Sequence, residues 1–115
     1  MDMSDFKFNN VKNGVFILNS TNFNAFVNQD YLVMIDFWAS WCRPCLMAMP
    51  LIEDIAKTYS VGKVNIEEES GLANDYNVNM IPTFIFFYKG QKVKTLVGMP
   101  KKEEIEDVFK KDGII

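Results

Sequence analysis

An α/β architecture, with one mixed β-sheet and helices on both of its faces, is predicted by three features of the sequence. Two runs, Tyr31 to Trp38 and Phe84 to Tyr88, carry apolar side chains at nearly every position, as strands covered on both faces do. Around them, apolar residues recur every three or four positions, the mark of amphipathic helices. The elements follow one another as βαβαβ, a short helix and then ββα, an order that fits a single layered sheet.

Taken in order, residues 1–14 are polar and rich in asparagine, and are expected to form an irregular lead-in with Phe6 and Phe8 tucked onto the domain. Val15 to Leu18 reads as a first strand. Asn19-Ser20-Thr21 offers an N-cap to a helix that aligns Phe23, Phe26 and Val27. Tyr31 to Trp38 is the second strand, interrupted by one acid, Asp36. The helix after it carries Cys45 and runs to about Tyr59, with Met49, Ile52, Ile55, Ala56 and Tyr59 at helical spacing. Pro50 lies inside it and predicts a kink, because proline has no N–H to donate. Val61 to Ile66 forms a third strand, followed by the acidic turn Glu67-Glu68-Glu69-Ser70 and a short helix over Gly71 to Tyr76.

Ile81-Pro82-Thr83 leads into the strand Phe84 to Tyr88, and Lys89-Gly90 marks a hairpin turn. Val93, Thr95 and Val97 alternate along a last strand with one solvated face. Beyond Gly98-Met99-Pro100, a final helix turns Ile105, Val108 and Phe109 inward beneath a charged outer face. With no repeat, linker or low-complexity tract, residues 1–115 read as one domain of five strands and about four helices.

The totals narrow the function. A chain of 115 residues, 49% hydrophobic and 14% aromatic, can bury a core without disulfide staples. A net charge of −3 gives no reason to expect nucleic acid or an anionic membrane as partner. No apolar run approaches the ~20 residues of a membrane span. The acidic start, Met1-Asp2-Met3-Ser4-Asp5, leads into no signal-peptide core, so a cytoplasmic protein is expected.

Chemistry concentrates between Tyr31 and Pro50. The only two cysteines, Cys42 and Cys45, enclose Arg43 and Pro44 at the start of a helix that follows a buried strand. Two cysteines cannot make a disulfide framework. With no histidine and no second cysteine pair, one chain lacks the ligands of a tetrahedral N/S metal site and the usual base of a cysteine nucleophile. Dithiol redox chemistry is what remains. Asp36, in a strand otherwise apolar, is expected to be desolvated and to hold its proton to high pH. Its bland alternative is an acid at an exposed strand end.

These residues together resemble the thioredoxin family. Trp38-Ala39-Ser40-Trp41-Cys42-Arg43-Pro44-Cys45 departs from the family's usual Trp-Cys-Gly-Pro-Cys at Arg43 alone. Asp36 matches the family's buried acid, Lys63 the lysine near it, Pro50 the kinking proline, and Ile81-Pro82-Thr83 the loop whose proline is cis. Lys89-Gly90 and Val97-Gly98 match later glycine positions, so the likeness spans roughly Val15 to Lys111, with a shortened loop near Ser60.

The resemblance implies a thioredoxin fold and a protein-disulfide reductase. Cys42 would be the attacking thiolate, Cys45 the less exposed resolving thiol, Asp36 the proton acceptor and Lys63 its modulator. Trp41, Pro44, Ile81, Pro82, Gly98 and Met99 would form the surface on which substrates dock. It implies no bound cofactor or metal, with electrons drawn from NADPH through a thioredoxin reductase. The implied partners are that reductase and disulfide-bearing proteins, met by a monomer. Arg43, a cation beside the thiolate, is expected to stabilise the reduced form and make the protein a somewhat weaker reductant. Three competitors stand beside this reading: a disulfide oxidant or isomerase, an adaptor with incidental cysteines, and two chains sharing zinc.

Overall fold

The computed structural model describes residues 12–112, so the expectation for Phe6 and Phe8 lies outside the described residues. The central strand β2 (Val33–Trp38) is flanked on one side by β3 (Ser60–Asn65), parallel to it, and on the other by β4 (Thr83–Tyr88), antiparallel. β1 (Gly14–Ile17) runs parallel to β3 at one edge, and β5 (Gln91–Val97) antiparallel to β4 at the other, giving the sheet order β1-β3-β2-β4-β5. The five strands and their mixed sense agree with the sequence; Gly14 belongs to β1 rather than to the lead-in.

Side-chain alternation divides the core into two layers. Met34, Val61, Phe84 and Phe86 face α3 (Met49–Ala56) and α5 (Lys102–Asp112), whose Ile52, Ile55, Ile105, Val108 and Phe109 close over them. Val33, Ile35, Phe37, Val64, Ile85 and Phe87 face the other way, onto α1 (Phe23–Val27) and the neighbourhood of α4 (Ser70–Asp75). There Tyr76 packs among Phe23, Phe37 and Phe87, with ring centroids 5.4 to 6.4 Å apart.

Several expectations are corrected in detail. The single kinked helix is two segments, α2 (Arg43–Met47) and α3, with Ala48 between them, so the described residues hold five helices. Pro50 has no N–H for the Leu46 carbonyl, and the ladder breaks there. The N-cap position of α1 is Asn22, just past Asn19-Ser20-Thr21, and no side chain caps the helix. Asn19 Oδ1 instead accepts the Thr21 and Asn22 N–H groups of the preceding turn at 2.8 and 3.1 Å, while Asn22 Oδ1 accepts the Asn19 N–H at 2.8 Å.

β5 is the clearest departure. Val93, Thr95 and Val97 are exposed, and Leu96 is the residue that packs inward. The C-terminal helix covers the opposite face, where Leu96 packs, and a register shift between Phe86 and Phe87 leaves Val93 unpaired in the ladder. The hairpin turn itself forms as read, with Lys89 and Gly90 both at positive φ, as a two-residue turn of this hand requires. Glu67, Glu69 and Lys102 each hold a partner. Glu67 Oε1 accepts from the Ser40 hydroxyl at 3.1 Å, Glu69 Oε1 from the Ser20 N–H at 3.0 Å, and Lys102 pairs with Asp54 at 2.6 Å.

The approach of α1 to the sheet depends on Gly62. A methyl group added there would lie 2.9 Å from the Phe26 ring and closer still to Leu18. Both neighbours are buried core residues, so overpacking of this kind costs about 1–3 kcal/mol. Gly62→Ala is therefore expected to lower stability by that amount without changing the fold, as read by equilibrium unfolding in urea.

Candidate redox site

The site forms where the chain leaves the carboxyl end of β2. A turn closes with the Cys42 N–H donating to the Ala39 carbonyl at 3.2 Å, and Cys42 then caps α2 from an extended conformation. Its Sγ accepts the Cys45 N–H at 3.2 Å, satisfying a helix-start donor that would otherwise lack a partner. Pro44 falls in the first turn, where the missing N–H is not needed. Cys42 and Cys45 are joined in a disulfide, Cα atoms 5.3 Å apart.

Ala39, Cys42 and Cys45 are buried together, with Trp38, Ile66 and Ile81 against them. The expected contrast between an exposed Cys42 and an enclosed Cys45 is slight in this bridged state, at 5% and 3% exposure. The rim is what meets solvent: Trp41 is 66% and Met99 53% exposed, and Arg43 and Pro44 are exposed beside them.

The Ile81–Pro82 peptide bond is cis. The Ile81 carbonyl oxygen lies 3.8 Å from Cys42 Sγ, a contact rather than a hydrogen bond, because a bridged sulfur has no proton. Pro82 is buried and lies beneath the rim; its carbonyl accepts the Gly98 N–H at 2.8 Å. Gly98 holds φ at +88°, which a side chain would strain, where the chain leaves β5 for Met99.

Asp36 and Lys63 sit opposite each other in the β2–β3 ladder, both buried and both on the face covered by α3. Asp36 Oδ1 has no hydrogen-bond partner. Burial raises its pKa from 3.8 to about 7, and the Lys63 charge offsets part of that rise. Of the candidate residues, the fold thus gathers Trp41, Cys42, Arg43, Pro44 and Cys45 with Ile81, Pro82, Gly98 and Met99, and sets Asp36 and Lys63 in the sheet. Sequence reasoning gave no functional role to Trp38, over whose ring the Lys63 ammonium lies, 4.5 Å from the centroid. The signal was present: Trp38 is two residues beyond Asp36 in one strand, hence on the same face.

The thioredoxin family model matches residues 14–111. The chain belongs to the thioredoxin family. It is 40% identical over 98 residues to the thioredoxin of Chlamydia pneumoniae, a match covering 83% of this chain and 95% of that one. Against the chloroplastic M-type thioredoxin of Spinacia oleracea it is 37% identical over 99 residues, 82% of this chain but only 55% of the spinach protein's length. The structure of a mutant thioredoxin from Halobacterium salinarum superposes with a TM-score of 0.84 at 26% identity, covering 90% of this chain and 94% of that one. This family member has the thioredoxin fold, a Cys-X-X-Cys redox pair at Cys42 and Cys45, and disulfide reductase function.

The buried carboxyl makes stability depend on pH. Between pH 3.8 and about 7 the folded protein keeps a proton on Asp36 that the unfolded chain has released. Stability therefore falls as pH rises through this window, by about 4 kcal/mol at most, and the loss is complete above it. Asp36→Asn is expected to match the parent protein near pH 4 and to exceed it by about 2–4 kcal/mol at pH 8. Urea unfolding of the oxidised proteins at both pH values measures the difference; equal stabilities at pH 8 would show that Asp36 is ionised at no cost.

Proposed function

We propose that this chain is a single-domain, monomeric dithiol carrier that reduces protein disulfides, with Cys42 attacking and Cys45 resolving. The observation that carries the assignment is the Cys45 N–H directed at Cys42 Sγ at 3.2 Å. Once the bridge is reduced, the same donor favours negative charge on Cys42 and lowers the cost of its thiolate. Cys45 lies one turn further along the helix, with its own N–H spent on that sulfur.

In the reaction, the Cys42 thiolate attacks one sulfur of a substrate disulfide, forming a mixed disulfide and expelling the other substrate sulfur as a thiolate. Cys45 gives up its proton to Asp36 and attacks Cys42 Sγ. The Cys42–Cys45 bridge forms and the second substrate thiolate departs. Two electrons have moved to the substrate, and the carrier is left oxidised. A carboxyl that titrates near neutrality suits a proton acceptor working at neutral pH. Lys63 keeps its basicity from rising further.

Substrate would dock on Trp41, Pro44, Ile81, Gly98 and Met99, with Pro82 supporting that surface from below. An extended segment lying there would pair with the Ile81 backbone as an added strand. We assign a thioredoxin reductase fed by NADPH as the electron source, on the strength of the family. The cytoplasm is the compartment we assign, since a reductant works where thiols are kept reduced; the chloroplastic spinach relative makes an organelle the competing site.

Two outcomes test the assignment. Cys42→Ser is expected to abolish reduction of a disulfide-bearing protein, whereas Cys45→Ser should accumulate a mixed disulfide visible on a non-reducing gel. Absence of turnover in the unaltered protein would favour an adaptor with incidental cysteines, and turnover retained in Cys42→Ser would overturn the role given to Cys42. Arg43, exposed at the first helical position, is proposed to stabilise the neighbouring thiolate. Arg43→Gly should lower the reduction potential by about 20 mV, since ~30 mV corresponds to a tenfold change in this two-electron couple. Equilibration against glutathione buffers measures it, and an unchanged value would leave the arginine merely solvated.

A further inference from the structure

Asp36 and Lys63 are aligned in the parallel ladder and point to one face of the sheet. A buried carboxyl with a lysine on the next strand would ordinarily be satisfied by it. It is not. The ion pairs among the described residues both involve Asp54, and Asp36 Oδ1 has no partner at all. The Lys63 Nζ lies instead over the Trp38 ring, 4.5 Å from the centroid. Trp38 pairs with Asn65 in the ladder, so Lys63 is its diagonal neighbour on the same face, within reach of an aromatic side chain. An indole face attracts an ammonium group, the more so where water is excluded.

We propose that Trp38 is a positioning residue whose indole face holds the Lys63 ammonium off Asp36 and so leaves that carboxyl unpaired. The surroundings give the ammonium no competing anchor. β4 sets Phe84 opposite Asp36, and β1 sets Ile17 beside Lys63. The inward residues of α3 and α5 are apolar, and the α2 cysteines are bridged. Lys63 is the one charge that acts on Asp36. Were the lysine to close onto it, the carboxylate would be fixed as an anion and become a poorer proton acceptor. That consequence for turnover rests on the role proposed for Asp36 above; the positioning itself does not.

The test is a titration of Asp36 by carboxyl-carbon NMR in the full, oxidised chain, where neither cysteine ionises. Trp38→Leu is expected to raise the acid dissociation constant of Asp36 about tenfold, one pKa unit. Trp38→Phe, with a weaker π face, should raise it less. In a Lys63→Met background, Trp38→Leu should change nothing. An unchanged or smaller dissociation constant in Trp38→Leu would overturn the proposal. So would a rise of equal size without Lys63, which would mean that Trp38 only keeps water out. Should Trp38→Leu not fold, Trp38→Phe with and without Lys63→Met makes the same comparison. Full turnover in Asp36→Asn would sink the proton-acceptor reading and leave the titration result standing.

Discussion

Strand β2 has a hydrogen-bonded neighbour on each side and helices over both faces, so every side chain it carries must be at home without water. Five of its six residues meet that demand by being apolar or aromatic; Asp36 meets it by keeping its proton. The rest follows from this strand. Its parallel partner brings Lys63 alongside, its antiparallel partner begins at the cis-proline loop, and its own carboxyl end delivers the chain to Cys42. A more polar strand would not bury so completely, and a wholly apolar one would supply no titratable group near the helix of the cysteines.

Four connections meet at this end of the sheet and are fastened in pairs by ordinary hydrogen bonds. The Ile66 N–H donates to the Trp38 carbonyl at 2.9 Å, the Ser40 hydroxyl to Glu67 at 3.1 Å, and the Gly98 N–H to the Pro82 carbonyl at 2.8 Å. The disulfide thus sits on loops whose backbones are held by rigid strands, which fixes geometry better than loops alone. The exposed side chains Trp41 and Met99 stand at this end, so the surface proposed for docking carries large apolar groups over a hydrogen-bonded support.

Much of this was legible in the sequence. Runs such as Phe84 to Tyr88 admit one reading, because a strand apolar at consecutive positions must be covered twice. Asp36 stood out as an acid in an otherwise apolar strand, and Cys42 and Cys45 as the only cysteines, spaced three apart at the start of a helix. The failures have physical causes as well. Val93, Thr95 and Val97 alternate like a buried face, but alternation cannot say whether a helix lies over it, and at the β5 edge none does. The division of the helix at Ala48 needs the ladder around Pro50 to be counted bond by bond. Lys63 was expected to act on Asp36, as it does, yet its resting place over Trp38 depends on a diagonal between strands that only the register reveals.

The order of the strands bears on how the chain is made. β1 pairs with β3 alone, and both neighbours of β2 come later in the sequence. A chain emerging from the ribosome therefore presents the water-averse segment 33–38 before anything exists to cover its edges. Parallel pairing can begin only after β3 has appeared, and the sheet closes only after β4 and β5. Through that interval of synthesis the nascent chain carries unpaired, adhesive backbone, the circumstance in which growing polypeptides depend on chaperones. The connection of only residues 57–59 between α3 and β3 shortens the wait.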